Sequence, residues 1–145
     1  MKRNKLVFLV FALALSGCLL QAKPAKWKGL IPTLEAGQGR IYFYRAASRK
    51  GFGIKPIVML NGEAVGKSMA GEFFIADRPP GVYEAVLSTR LNDKLSLELG
   101  EGEERYVRMA VEAGKILYKV RLEPVSPATA LQEMKPLRFN NKRRH

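Results

Sequence analysis

Cys18 is the residue whose chemistry is easiest to assign, because it is the single cysteine of the 145-residue chain. One cysteine rules out an intramolecular disulfide. The single histidine, His145, stands at the opposite end, so no Cys/His set exists for a metal or for thiol catalysis. A thiol directly after Ser16-Gly17 instead offers a point of covalent attachment, where two small residues let a peptidase reach the chain. The other candidates lack the partners their chemistry needs. Arg49-Lys50 before Gly51-Phe52-Gly53 suggests a phosphate loop, but no helix follows to supply a dipole, and the segment reads as a hairpin tip. Glu72 and Asp77 mark the two ends of one segment with no third group in view, while Glu98, Glu101, Glu103 and Glu104 read as a solvated strand end and turn. An enzyme needs a nucleophile with its base, a carboxylate pair in a cleft or a metal cluster. None is legible, so the expectation is a non-enzymatic protein with no catalytic residue, no metal and no cofactor.

The elements that position Cys18 support attachment. Met1 to Lys5 is cationic, and Leu6 to Leu15 is an unbroken apolar run of the length of a signal core. The mostly apolar stretch ends at Leu20, after 15 residues, short of the ~18 to 20 that cross a bilayer as a helix. With Leu15-Ser16-Gly17-Cys18 the whole resembles the signal and lipobox of bacterial lipoproteins. That resemblance implies cleavage between Gly17 and Cys18, a diacylglycerol on the thiol, and a fatty acyl group such as palmitate on the new amino terminus. An Asp after the cysteine tends to retain such proteins at the inner membrane. Leu19 stands there, which implies the outer membrane, facing the periplasm, in a Gram-negative host. Each buried methylene contributes ~0.8 kcal/mol, so two or three chains anchor the protein without help from the fold.

Loss of Lys2, Arg3 and Lys5 with the signal leaves 22 basic against 13 acidic residues, a net charge of +9. Such a surplus favours anionic surfaces, and for an exported protein these are lipid headgroups or envelope polymers and not nucleic acid. Hydrophobic residues at 47% and charged residues at 26% leave enough apolar surface for one folded domain. Residues 18–38 read as the lipidated terminus and a tether, with Pro24 and Pro32 and no sustained period. There Trp27, among Lys23, Lys26 and Lys28, suits the headgroup layer or the domain edge equally well.

Residues 39–139 read as an all-β domain of short β-branched and aromatic segments split by turn residues. Gly39 to Arg45 is apolar on both faces, as a central strand would be. Asn61-Gly62 favours a two-residue hairpin turn, and Arg78-Pro79-Pro80-Gly81 ends a strand. Tyr83, Ala85 and Leu87 share a face with Leu95, Leu97 and Leu99 across a five-residue connection. A turn at Ala113-Gly114 sets Val107, Met109 and Val111 against Val120, Tyr118 and Ile116. The same register sets Arg108 against Lys119 and Tyr106 against Arg121 on the other face. Arg108, Lys119 and Arg121 are therefore either a splayed, solvated face or an anion-binding patch. Ser126-Pro127 opens a short helix that Leu131 and Met134 would dock, and residues 140–145 form a basic tail.

Gly39-Arg-Ile-Tyr-Phe-Tyr-Arg45, Ile57-Val-Met-Leu-Asn-Gly-Glu-Ala-Val-Gly66 and Pro80-Gly-Val-Tyr-Glu84 resemble a family of small bacterial lipoproteins defined only as a domain of unknown function. The resemblance implies an antiparallel β-sandwich, immunoglobulin-like or transthyretin-like, and brings no active site with it. The expected function is that of a membrane-anchored envelope lipoprotein whose sandwich binds a partner protein or takes part in an assembly. The alternative is a module for an anionic envelope polymer or lipid headgroups, acting through the basic sheet face.

Overall fold

The computed structural model describes residues 24–140 and 142. The signal segment, Gly17, Cys18 and the end of the basic tail lie outside the described residues. In chain order the strands are β1 (Gly39–Tyr44), β2 (Ile57–Leu60), β3 (Glu63–Lys67), β4 (Glu72–Arg78), β5 (Gly81–Leu87), β6 (Arg90–Leu99), β7 (Glu104–Ala113) and β8 (Tyr118–Val125). Helix α1 (Pro127–Met134) and a short β9 (Arg138–Phe139) follow. They build two facing sheets, ordered β8-β7-β1-β4-β9 and β3-β2-β5-β6, so the expected all-β sandwich is present. Five strand pairs are antiparallel, whereas β1 with β7 and β4 with β9 run parallel.

Every residue of β1 is buried, and it sits in the middle of the larger sheet. Alternation along it serves two cores. Ile41 and Phe43 point between the sheets with Phe74, Ala76, Val107 and Met109 of their own sheet and Val58, Leu60, Leu97 and Leu99 of the other. Tyr42 and Tyr44 point outward, where α1 and the segment before β1 cover them. The hairpin at Asn61-Gly62 forms as its sequence requires, with positive φ at both residues (49° and 80°). Gly66 faces the Phe74 ring, which lies 2.5 Å from where a Cβ would sit.

Three expectations change. Trp27 is not in a free tether: its ring packs edge-on against Phe73, with centroids 5.2 Å apart, and its indole N–H donates to the Met134 carbonyl at 2.9 Å. The segment from Pro24 therefore belongs to the folded domain. Helix α1 starts at the Ser126 cap as expected, but it docks through Ala130 and Met134, which are one turn apart, while Leu131 is exposed. The β5–β6 connection is the tight Ser88-Thr89 turn with a bulge, and β6 begins at Arg90. The shared face survives because Tyr83 pairs with Leu97 and Ala85 with Leu95.

The β7–β8 register also differs. Val111 pairs with Val120, Met109 with Leu122 and Arg108 with Glu123, a shift of four residues along β8. An even shift keeps each side chain on its face, so the core alternation could not reveal it. The shift gives Met109 an apolar partner in Leu122 and sets Arg108 and Lys119 against carboxylates. It leaves a longer turn at residues 114–117, closed by Gly114 N–H on the Leu117 carbonyl at 2.9 Å. Pro124 is accommodated because β8 is an edge strand.

Candidate functional site

The outer face of the larger sheet carries most of the polar side chains that could do chemistry, and they are matched. Arg40 and Asp77 stand opposite each other across β1 and β4 and join through two hydrogen bonds of 2.6 and 2.7 Å. The Asp77 bond holds the Arg40 guanidinium more firmly charged than usual, outweighing burial. Tyr42 and Tyr106 stack at 4.7 Å, and both hydroxyls donate to Glu104, at 3.2 and 2.8 Å. The Tyr44 hydroxyl donates to Glu133 of α1 at 2.6 Å. Burial, with Glu133 beside Tyr44 and Glu104 beside Tyr106, pushes both phenols well above their ordinary value.

Two of the three residues of the possible anion patch, Arg108 and Arg121, are drawn into this network. Arg108 reaches Glu123 at 3.1 Å and Glu133 at 2.6 Å, and Arg121 joins Glu123 and, at 3.6 Å, Glu112. Burial works against the Arg108 charge, but Glu133 and Glu123 outweigh it and raise its pKa. Lys119 pairs across the ladder with Glu112, not with Arg108. Arg108 and Arg121 come together on Glu123 and are neutralised there. The four-residue shift supplies these carboxylates, and the like-charge clash that an Arg108–Lys119 pairing would create was the signal in the sequence against that register.

Arg45 follows β1, and nothing in its sequence neighbourhood marks a role for its charge. It is 1% exposed. One of its terminal nitrogens donates to the Ile54 carbonyl at 2.6 Å and the Ser68 carbonyl at 3.4 Å. The other donates to the Gly51 carbonyl at 2.6 Å. Its Nε has no partner. Burial lowers its pKa, but a guanidinium starts so high that it stays charged. The loop at residues 46–56 is thus wrapped around a buried cation that has no carboxylate partner among the described residues. The Gly51-Phe52-Gly53 tip turns at Gly51, where φ is +65°, and rests against Val111 and Tyr118 of the β7–β8 hairpin.

Two features remain open to a partner. The first is a groove of about 500 Å³ at the sandwich edge, between β3 and β4, lined by Glu63, Val65, Phe74, Ile75, Asp77 and Phe139 among others. β9 pairs with β4 only at Glu72 and Phe73, so no described strand pairs with β4 on that side from Phe74 to Arg78. The second is the end of the sandwich where residues 46–56 and 114–117 meet. Phe52, Ile116 and Leu117 are 60%, 92% and 73% exposed there. No described helix is long and apolar enough to cross a membrane.

The architecture defines an all-β sandwich domain with one face sealed by a short helix and an N-terminal segment. The family model described as "Protein of unknown function (DUF2846)" matches residues 35–124, and the chain belongs to that family. The comparison with curated proteins finds no match. Among solved structures, the N-terminal domain of AlgF from P. aeruginosa is similar at 14% identity with a TM-score of 0.42, over 65% of this chain and 100% of that one.

Proposed function

We propose that this protein is a non-enzymatic, lipid-anchored envelope protein whose sandwich holds an extended segment of a partner protein along the free edge of β4. The anchor is Cys18, and Leu19 after it favours the outer membrane, facing the periplasm. The observation that carries the binding reading is the unpaired stretch Phe74–Arg78 beside the groove. A strand added there gains main-chain hydrogen bonds, and alternate side chains enter the groove. The non-enzymatic reading is supported by how the carboxylates are used: Asp77, Glu104 and Glu133 are held by Arg40, by two tyrosines, and by Tyr44 with Arg108.

The alternative, an anion-binding sheet face, loses support because Glu123, Glu133 and Glu112 occupy it. The test is co-purification of the lipidated protein from native envelope, wild type beside Ala64→Trp, which fills the groove from an exposed position. A stoichiometric partner lost in the variant, with the melting temperature unchanged, supports the reading. A partner retained equally by both, or no partner for the wild type, contradicts it.

A further inference from the structure

We infer that the end of the sandwich built from residues 46–56 and 114–117 is a second membrane contact, seating directly on an anionic phospholipid surface. The two loops touch: Val111 and Tyr118 flank Gly51, so Phe52 and the hairpin turn form one surface. At its rim Phe52, Ile116 and Leu117 project with little cover, and Tyr118 is 40% exposed. Five cations are interleaved with them, Arg49, Lys50, Lys55, Lys115 and Lys119, and none makes an ion pair among the described residues. The Lys55 ammonium lies 5.5 Å from the Phe52 ring centre, leaving the pair as one amphipathic unit. Neither 45–56 nor 113–119 contains an acidic residue, and Glu112, which faces Lys119 across the ladder, is held by Arg90 and Arg121.

Apolar side chains among free cations are the composition of a surface that rests in the headgroup layer, with rings and aliphatic tips below and ammonium groups on phosphates. Arg45 adds to the effect. Its charge is buried directly beneath the loop, where low dielectric lets its field reach outward. At the opposite end acids outnumber bases: Glu35, Glu63, Asp77, Glu98, Glu101, Glu103 and Glu104 gather near the start of β1 and β7 and the ends of β4 and β6, where Arg40, Arg78 and Arg105 offset Asp77, Glu63 and Glu103. An anionic bilayer would therefore attract one end and repel the other.

The position of the N-terminus agrees. Trp27 packs on Phe73, which pairs with Tyr44 at the end of β1 from which the 46–56 loop leaves. Cys18 precedes Pro24 by six residues, a reach of at most roughly 20 Å for an extended chain. In this respect the inference rests on the anchored reading, and a lipid on Cys18 would hold this same end near the bilayer. A protein partner fits the surface less well, because cations of one sign crowd its apolar centre.

The test uses the full mature chain with Ile116→Trp, Trp27 being buried and constant, and vesicles of lipid brominated high on its acyl chains, which quench a tryptophan that dips just below the headgroups. Glu101→Trp is the control at the opposite end. Ile116→Trp is expected to be quenched by vesicles containing phosphatidylglycerol and not by pure phosphatidylcholine, with the quenching lost in half-molar salt. Glu101→Trp stays unquenched throughout. Adding Lys50→Glu and Lys115→Glu, both at exposed positions outside any ion pair among the described residues, lowers the quenching to the control level without changing the melting temperature.

Quenching that is equal in both lipids, or absent in both, overturns the inference. So does protection of the residue that appears only when envelope proteins are added. Mass spectrometry of Cys18 reports the anchor separately, and vesicles can be added from solution to an unlipidated chain, so failure of the anchor and failure of this contact give different results.

Discussion

Arg108 and Lys119 lie on the same hairpin, yet their surroundings differ sharply. Arg108 lies midway along β7 between Glu123 and Glu133, while Lys119 begins a run of exposed cations and apolar tips that continues through Lys115 into the 46–56 loop. The difference shows where this basic protein spends its charge. On the covered sheet face Arg40, Arg108 and Arg121 are matched because β4, β7, β8 and α1 bring carboxylates to them. At the loop end Glu112, which faces Lys119, is already held by Arg90 and Arg121, so the surplus charge stays available.

Substitutions that open the covered face should give the largest effects. Asp77→Ala leaves the 3% exposed Arg40 without its partner and should lower stability by about 3 kcal/mol, read by urea unfolding. Trp27→Ala removes an aromatic contact and the bond to Met134 and should cost ~3 kcal/mol, with a normal melt for the same substitution showing that the segment is a tether after all. Arg45→Met strands the Gly51 and Ile54 carbonyls and should cost about 2 kcal/mol, with proteolysis of the 46–56 loop rising together with it.

The tyrosines should set an alkaline limit. The folded state retains the Tyr44 and Tyr106 protons beyond their ordinary value of 10.0. The unfolded chain gives them up near pH 10, so the stability they contribute is complete below that pH and is lost as pH rises further. Melting curves from pH 8 to 11 should show the decline, and Tyr44→Phe should flatten it while costing about 1 kcal/mol at neutral pH. At the loop end, by contrast, Lys115→Ala with Lys119→Ala should change stability by less than about 0.5 kcal/mol. A clear loss there would mean that these lysines carry structural pairs, and the contrast between the two regions would fail.

Much of the framework was legible from residues with a single reading. The density of β1 announced a central strand, Asn61-Gly62 its turn, and Ser126-Pro127 the helix start. The β7–β8 register was not legible, because a shift by an even number preserves every inward residue. Only the charges on the other face discriminate, and Glu123 enters the account only when β8 is allowed to run through Pro124. Trp27 was balanced between lipid and domain in the sequence because its deciding contacts, Phe73 and Met134, are far away along the chain. Arg45 was hidden for the same reason: carbonyls of a loop are its partners, and no residue type marks them.

The anchor is the premise on which both proposed contacts are oriented, and it can be tested in living cells. Bacteria expressing the full chain or Cys18→Ser are grown with a fatty-acid analogue, and the purified proteins are compared for label and for membrane fractionation. Label and membrane association are expected for the wild type, and an unlabelled product from the mutant. Label retained by Cys18→Ser, or none on the wild type, would contradict the anchor.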